Sequence, residues 1–542
     1  MSAPAYVVHN ATVYTVDDQR PTASAFAVRD GQFLVVGADA EARAALPSVP
    51  HIDAEGRTVV PGFIDAHAHL HELGHALRRA DLTGADSSTA VVTRLQAFAD
   101  AHDLPPNAWL RGHGWDETAW PDMASPTRDP LDAAFPDRPV WLTRTDIHAG
   151  WANTAALEAT VGPERLRHME DPEGGRIRRD DTGRPTGVLV DRAMALVEDR
   201  MPALSDAQQN RALRTALDHA SRHGVTGVHD AGVDRTQIRR FQRFIETGAF
   251  PLRVYAMVLA TSDAFDHVCE RGPLHHPSGQ LDVASTKLFA DGALGSRGAA
   301  LLSDYADDPG NRGLLRHAPE AFRRRVQTAV EAGLQVSTHA IGDRANRRVL
   351  DAYAAAADAT GAPLRRPRIE HAQGVAPADR PRFAELGVIA SVQPAHAPSD
   401  HDWAGARLGP DRVGRAYAWR SLRADGARLA FGSDAPVEPL APIRTIHAAV
   451  TRRTPDGRPE GGWRPGERLS REVALRAHTR GAAVAAGQED RVGSITPGKR
   501  ADWVALSQDF MTVPPDAIPD TTVVATYLGG RRVYAKTDWP DP

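Results

Sequence analysis

Eight apolar segments rich in β-branched residues recur along the middle of this 542-residue chain, and amphipathic helical patterns separate most of them. Continuous apolar strands of this kind are typical of a parallel sheet whose two faces are covered by helices. Eight of them predict a closed (β/α)₈ barrel (a TIM barrel) in the α/β class, with an open doubly wound sheet as the alternative. The predicted strands are 59–66, 224–229, 252–259, 283–289, 334–339, 367–371, 388–393 and 429–432.

Both ends of the chain differ from the middle, because they contain short strand patterns broken by turns and no helical alternation. The simplest interpretation is one small β-sandwich domain formed from both termini, residues 1–60 and 485–542. The barrel domain, 61–484, would then be inserted between the two halves of the sandwich. A long insert at about 71–200 follows the first barrel strand and is predicted to form a cap over one face of the barrel.

The composition is that of a soluble globular protein, with 42% apolar residues, 25% charged residues and a net charge of −5. No basic stripe interleaved with aromatic residues indicates a nucleic-acid partner. No segment approaches the roughly 20 apolar residues that a membrane span needs. The N-terminus lacks the pattern of a signal peptide, so a cytoplasmic location and a small-molecule substrate are expected, with homo-oligomer formation left open.

Sulfur chemistry is limited by the single cysteine, Cys269. A single thiol cannot form an intrachain disulfide, and a zinc site made of several cysteines is excluded.

Potential metal ligands stand at the ends of five predicted strands. His67 and His69 are two residues apart, so on an extended chain both side chains point the same way. By itself this pair could be two polar residues on an exposed strand, but the preceding run 59–64 is too apolar for an exposed edge. Catalytic residues of (β/α)₈ barrels lie at the carboxyl ends of the strands. The other strand-end candidates are Lys287, His339, His371 and Asp434.

Each candidate also has an ordinary structural explanation, such as a hydrogen-bonded core group or, for Asp434, a helix N-cap. Five strand ends that each deliver a potential ligand favour a shared metal centre. Imidazoles and a carboxylate suit zinc, with an open position for water in a catalytic site. The prediction is at least one divalent metal ion per chain, with zinc as the favoured ion.

The order His-x-His, Lys, His, His, Asp on strands one, four, five, six and eight resembles the amidohydrolase superfamily. More narrowly, the chain resembles the branch that includes N-substituted formamide deformylases, and the resemblance covers nearly the whole chain. The matching stretches are PGFIDAHAH, GWDETAW, DIHAGWANTAAL, KLFADGALGSR, STHAIGDRAN, IEHAQ, QPAHAPSD, FGSDAPVEPLAPI and GSITPGKRADWVAL.

The resemblance implies two groups of ligands. One metal ion would be held by His67, His69, Lys287 and Asp434, and the second by Lys287, His339 and His371. Asp434 would also take the proton from the bridging water, which makes it the predicted catalytic residue.

The resemblance further implies that Lys287 is carboxylated on its amine and bridges the two ions. An ammonium group among metal ligands would repel the cations, whereas a carbamate is negative and offers two oxygens. The alternative is an unmodified Lys287 paired with Asp291 or with substrate, beside a single ion.

Four further residues are weaker candidates for substrate contact. His148 is placed in the cap near the mouth, and Trp115 could form part of an apolar wall or of the core of the cap. Asp291 and Arg297 follow Lys287 and could line the pocket or pair with each other.

The favoured function is metal-dependent hydrolysis of a non-peptide C–N bond in an N-substituted amide or formamide. One alternative is a single-metal deaminase acting on a nucleobase-like ring; such members of the superfamily lack a ligand lysine, so Lys287 argues against it. The other alternative is a non-catalytic scaffold, which would have lost ligands that are all present here.

Overall fold

The structure is a computed structural model, which describes residues 5–102, 104–105, 107–117, 120–121, 125–144, 149–166, 168–172, 175–295, 297–537 and 539–540. The chain forms two compact units. The first contains Met1–Glu72 and Ala216–Pro542, and the second contains Leu73–Thr215.

Eight parallel strands of the first unit form a nearly closed barrel, as predicted. We number them barrel strands one to eight in chain order. They are Phe63–Ala68, Val225–Val233, Arg253–Leu259, Leu281–Phe289, Gln335–Ala340, Arg368–His371, Ile389–Val392 and Arg428–Phe431. The seam between strands eight and one is bridged just beyond strand eight, where the Asp434 amide donates to the His67 carbonyl over 2.7 Å.

The segment predicted as a single first strand, 59–66, is divided between two sheets. Thr58–Pro61 pairs with terminal strands, whereas Phe63–Ala68 enters the barrel. Gly62 separates them, and a Cβ atom there would lie 2.2 Å from the Thr226 hydroxyl oxygen. The prediction of one continuous strand was wrong, because apolar character does not record a change of sheet.

Helices follow most barrel strands, as the alternating pattern predicted. Arg235–Glu246 begins at a capping box, in which the Asp234 side chain accepts from the backbone amide of Gln237 and the Gln237 side chain accepts from the backbone amide of Asp234. The α-helices of the first unit, with the two that extend across its boundary, are Asp39–Ala45, Leu70–Ala76, Asp206–Arg222, Arg235–Glu246, Asp263–Arg271, Pro319–Glu331, Asp343–Thr360, Pro381–Glu385, His396–Ser399, His401–Leu408, Pro410–Val413, Trp419–Ala424, Pro442–Thr451, Arg471–Arg476 and Ala482–Ala485. Ala477–Gly481 forms a π-helical turn.

Two sheets built from both chain termini enclose a second core in the first unit. The first sheet has the order Gln32–Gly37, Ala25–Arg29, Ala5–His9 and His51–Asp53. The second has the order Arg531–Ala535, Val523–Leu528, Trp503–Leu506, Thr58–Pro61, Thr12–Tyr14 and Thr22–Ala23. We call this part the terminal sandwich.

Aromatic side chains fill the terminal sandwich. Trp503 is fully buried, stacks on Tyr527 with ring centroids 4.0 Å apart, and donates its indole N–H to the Tyr6 hydroxyl over 3.1 Å. Apolar burial of this extent is the main source of stability in such a core.

The second unit contains a six-stranded sheet of its own. Its order is Gly175–Arg179, Pro185–Asp191, Ala149–Ala152, Val140–Arg144, Leu110–Trp115 and Ala80–Asp81. Its helices are Ser88–Ala101, Asp129–Ala134, Thr154–Thr160, Pro163–Leu166 and Ala195–Glu198.

Within the described residues, we find no helix with both the length and the apolar character that a bilayer crossing requires.

Candidate metal centre

The predicted ligands lie at the carboxyl ends of the barrel strands. His67 and Lys287 lie within strands one and four, and His371 ends strand six. Asp434 follows strand eight by three residues, with a left-handed backbone (φ 61°) that His371 shares (φ 75°). Non-glycine residues with such backbone angles cluster at functional sites, where the surrounding structure enforces them.

His67, His69 and Asp434 form one group of potential ligands. One donor atom of each lies within 4.8 Å of the others. The Asp434 carboxylate is 3.2 Å from His69 Nε2 and 3.5 Å from His67 Nε2. The three side chains therefore converge on one point, as ligands of a single cation must.

Ionisation in this group suits a cation. Burial opposes the charge of Asp434, but the hydrogen bond from His69 and the nearby imidazoles outweigh it and hold the Asp434 pKa well below its usual range. Burial likewise opposes a charged His69, yet its bond to Asp434 raises the His69 pKa. Burial lowers the pKa of His67 to about 4, with Lys287 contributing. A cation binding here would meet a carboxylate and a neutral imidazole, and it would displace the proton shared by His69 and Asp434.

Lys287 lies beside this group, with Nζ 3.0 Å from His67 Nε2. Its side chain is buried, and burial lowers its pKa to about 8. The amine of Lys287 is therefore more often neutral near physiological pH than an exposed lysine would be.

His339 and His371 stand next to each other, with ring centroids 4.6 Å apart. Burial lowers the pKa of His371 to about 3 and that of His339 well below its usual value. Gln393 lies 2.8 Å from His371 Nδ1 and fixes the orientation of the ring. Both imidazoles are therefore neutral, which is the form that binds metal ions.

A buried ion pair between Glu370 and Arg368 fixes the orientation of the His67 ring. Glu370 Oε2 accepts from His67 Nδ1 over 2.5 Å, which leaves Nε2 to face Lys287 and Asp434. Arg368 in turn binds Glu370 through two bonds of 2.8 and 3.0 Å and also contacts His229. A carboxylate behind a histidine fixes its tautomer and raises its basicity as a ligand. Sequence analysis did not identify Arg368 and Glu370, because both were assigned to the interior of an apolar strand.

A second group of potential ligands contains a residue that sequence analysis missed. One donor atom each of His371, His396 and Asp434 lies within 4.8 Å of the others. His396 is buried and follows strand seven, in the QPAHAPSD stretch. His396 could have been predicted from the sequence, because it follows strand seven at a distance similar to that at which Asp434 follows strand eight.

The structure shows the contacts of three of the four substrate-contact candidates. Asp291 is fully buried and accepts backbone N–H bonds from Ala300, Ile341 and Gly342, so it organises loops. Its nearest approach to a predicted ligand is 3.6 Å, to His339 Nε2. The suggestion that it pairs with Arg297 was wrong.

Arg297 binds Asp307 through two bonds of 3.2 and 3.0 Å. Trp115 is 1% exposed and packs against Trp151 in the core of the second unit, so the core alternative holds for it. His148 lies outside the described residues.

The donor set fits a divalent cation better than it fits a purely structural network. Three neutral imidazoles, a fourth histidine and an ionised carboxylate lie at close range. Nitrogen and oxygen donors of this kind are those that zinc and similar ions prefer.

Comparison with known proteins agrees with this geometry. The family described as "Amidohydrolase family" matches residues 51–534. Protein LONG AFTER FAR-RED 3 of Arabidopsis thaliana is 36% identical, over 97% of this chain and 91% of its own length. N-substituted formamide deformylase of Arthrobacter pascens is 29% identical over 98% of both chains. The crystal structure of an uncharacterized metal-dependent hydrolase from Pyrococcus horikoshii OT3 superimposes with a TM-score of 0.78 at 29% identity, covering 94% of this chain and 99% of that one. With its barrel, its cluster of candidate ligands and a family match over most of its length, the chain belongs to the amidohydrolase family of metal-dependent hydrolases.

Proposed function

We propose that this protein hydrolyses a non-peptide C–N bond in a small N-substituted amide or formamide. The observation that carries the proposal is the cluster of His67, His69 and Asp434 donor atoms within 4.8 Å of one another, beside the buried Lys287. Similarity along the whole chain to an N-substituted formamide deformylase supports the choice of bond.

The residues that would hold metal are His67, His69 and Asp434 for one ion, with Lys287, His339 and His371 for a second. Zinc is the ion that this mixture of imidazole and carboxylate donors favours. A bound divalent cation supplies water of lowered pKa and polarises the carbonyl of the substrate.

Asp434 is proposed to move the proton. Its carboxylate is ionised and 12% exposed, so it is available to a substrate and ready to accept. As the water oxygen bonds to the carbonyl carbon, a proton of the water passes to Asp434. The C–N bond then breaks, its electron pair stays on nitrogen, and the proton moves from Asp434 to the leaving amine. A formamide thus gives an amine and formic acid, which releases its proton to solvent and becomes formate.

Lys287 is proposed to carry a carboxyl group. A neutral amine attacks CO₂, a C–N bond forms and one proton is released, so the product is a carbamate with two oxygen donors. The lowered pKa of Lys287 makes the neutral amine available at neutral pH. The rarity of lysine supports a special role for Lys287, because the sequence has only Lys287, Lys499 and Lys536 among its 64 lysine and arginine residues.

The function is tested by incubating zinc-loaded enzyme with N-substituted formamides, amides, lactones, carbamates and adenine. We expect formate, or the matching carboxylate, and the amine in equal amounts from formamides or amides. Protein stripped of metal should be inactive and should recover with zinc. Release of ammonia from adenine, without amide cleavage, would instead identify a deaminase. The absence of turnover on every compound would contradict the proposal.

Lys287 carboxylation is tested by ¹³C NMR of metal-loaded protein supplied with ¹³C-bicarbonate. We expect a carbamate signal that disappears in Lys287→Ala and persists in Lys536→Ala, its control on the terminal sandwich. Lys287→Ala should also lose one metal equivalent, and short carboxylic acids should partly restore it. A spectrum identical in wild type and Lys287→Ala would refute the modification.

A further inference from the structure

His396 lies beside the candidate metal ligands but was not among the predicted ones. It begins the short helix His396–Ser399 after barrel strand seven and is 7% exposed. Its ring lies nearly parallel to that of His371, with centroids 6.3 Å apart and 14° between the planes. It is thus built into the same end of the barrel as His371 and Asp434.

The neighbouring glutamine determines which nitrogen of His396 carries the proton. Gln373 Nε2 lies 3.3 Å from His396 Nδ1. An amide nitrogen can only donate, so Nδ1 must accept. The neutral imidazole then has its proton on Nε2. Gln373 is itself 5% exposed, and its carbonyl accepts from the Tyr417 amide over 2.6 Å, which fixes its backbone.

The Nε2–H group of His396 has no acceptor in the part of the chain that the structure describes. Among the described residues it is buried and makes no hydrogen bond. A buried donor without a partner is costly, and in native proteins such a group calls for an explanation, such as an ordered water or ion or a catalytic role. Because Nδ1 is engaged by Gln373, Nε2 is the atom that a ligand would meet.

We propose that His396 is a further catalytic residue, whose Nε2–H donates to the carbonyl oxygen of the substrate as negative charge develops there. This inference rests on the hydrolysis proposed above. It assigns His396 to the carbonyl oxygen of the substrate, whereas Asp434 transfers the proton of the water. With Gln373 Nε2 donating to Nδ1, Nε2 carries the proton and offers no lone pair to a metal ion, so this contact favours a donor role over a ligand role. A fixed donor aimed at developing charge is one of the strongest means of lowering a barrier to hydrolysis.

The first test compares His396→Leu with His401→Leu, its control on the following helix. We expect His396→Leu to lower turnover on the best formamide about 100- to 1,000-fold, with a much smaller change in KM. Zinc content and affinity should equal those of wild type, and His396→Gln, which retains an N–H donor, should recover part of the rate. Loss of zinc in His396→Leu would make His396 a ligand instead. Turnover within a fewfold of wild type would also overturn the proposal.

The second test does not depend on turnover. A crystal of the zinc-loaded wild type soaked with formate should show a formate oxygen within hydrogen-bond distance of His396 Nε2, and Nε2 more than 3 Å from zinc. A zinc–nitrogen distance of about 2.0–2.1 Å would overturn the proposal, as would a formate bound without contact to Nε2. If wild type cleaves no amide or formamide, the hydrolysis proposal fails, and this structure still decides whether Nε2 is a donor or a ligand.

Discussion

The barrel residues behind the metal centre and the core of the terminal sandwich are both buried, yet they consist of opposite kinds of residue. The barrel end buries His67, Glu370 and Arg368, linked by bonds of 2.5 to 3.0 Å. The terminal sandwich buries rings such as Trp503 and Tyr527. In the barrel end, buried polar groups are held by hydrogen bonds to one another. In the terminal sandwich, apolar side chains are held by their removal from water.

This difference indicates that the terminal sandwich contributes mainly to stability and the barrel end mainly to chemistry. Buried ion pairs contribute little net stability, because desolvation of the charges offsets their attraction. Aromatic burial is strongly stabilising and has no chemistry of its own. Substitutions in the barrel end should therefore change activity or metal binding, and substitutions in the sandwich should change stability.

The largest effect on activity is expected from Asp434→Asn. The amide is nearly isosteric with the carboxylate but cannot take a proton, so turnover should fall about 100- to 10,000-fold. The melting temperature should change little, and Asp411→Asn, an exposed control, should behave as wild type in both assays. Turnover within a fewfold of wild type at saturating zinc would exclude Asp434 as the base.

Trp503→Ala should have the largest effect on stability. Removal of this fully buried ring should lower the free energy of unfolding by about 3–5 kcal/mol, because a cavity remains. Turnover measured well below the melting temperature should remain near wild type. Leu34→Ala is the control from the same sandwich, since Leu34 is 40% exposed. A large loss of turnover in folded Trp503→Ala would show that the two regions are coupled.

Glu370→Gln should weaken metal binding without unfolding the barrel. The neutral amide is a poorer acceptor for His67 Nδ1, so we expect zinc affinity to fall about 10- to 100-fold in chelator competition. Arg368 would lose its charged partner, and some loss of stability is expected too. The exposed Glu385→Gln should retain wild-type affinity. Unchanged affinity in Glu370→Gln would mean that the ion pair does not position the ligand.

The smallest effect is expected from His478, an ionisable group placed in apolar packing between Phe63 and Phe431. Burial lowers its pKa to about 4, so below its usual pKa of about 6.5 the unfolded chain binds a proton that the folded chain refuses. Stability is therefore lost as the pH falls from 6.5 towards 4. At pH 5 this loss should be about 2 kcal/mol.

His478→Leu removes the titrating group, so its urea midpoint should fall less than that of wild type between pH 7 and pH 5. Activity at pH 7 should be unchanged, because His478 lies outside the metal centre. An identical pH dependence in the two proteins would mean that His478 is protonated as readily in the folded state as in the unfolded state.

The sequence by itself determined the barrel and the identity of most candidate ligands. Strand and helix periodicity is local, so the eight barrel strands could be predicted in their order along the chain, although the first was wrongly extended into the terminal sandwich. His67, His339 and His371 could be found because a parallel barrel brings the carboxyl ends of its strands to one place. The sheet change at Gly62 could not be found, since both sheets accept the same apolar residues.

Only the tertiary structure decided how these residues are used. Glu370 lies 303 positions from His67 in the chain, and only the folded barrel places its carboxylate behind the imidazole. For Asp291 the sequence left open a place at the pocket or a pairing with Arg297, and its three backbone partners come from loops that no local pattern connects to it. The role of His396 depends on which nitrogen faces Gln373. Hydrogen bonds have a direction and a length of about 3 Å, and the order of residues along a chain specifies neither until the chain is folded.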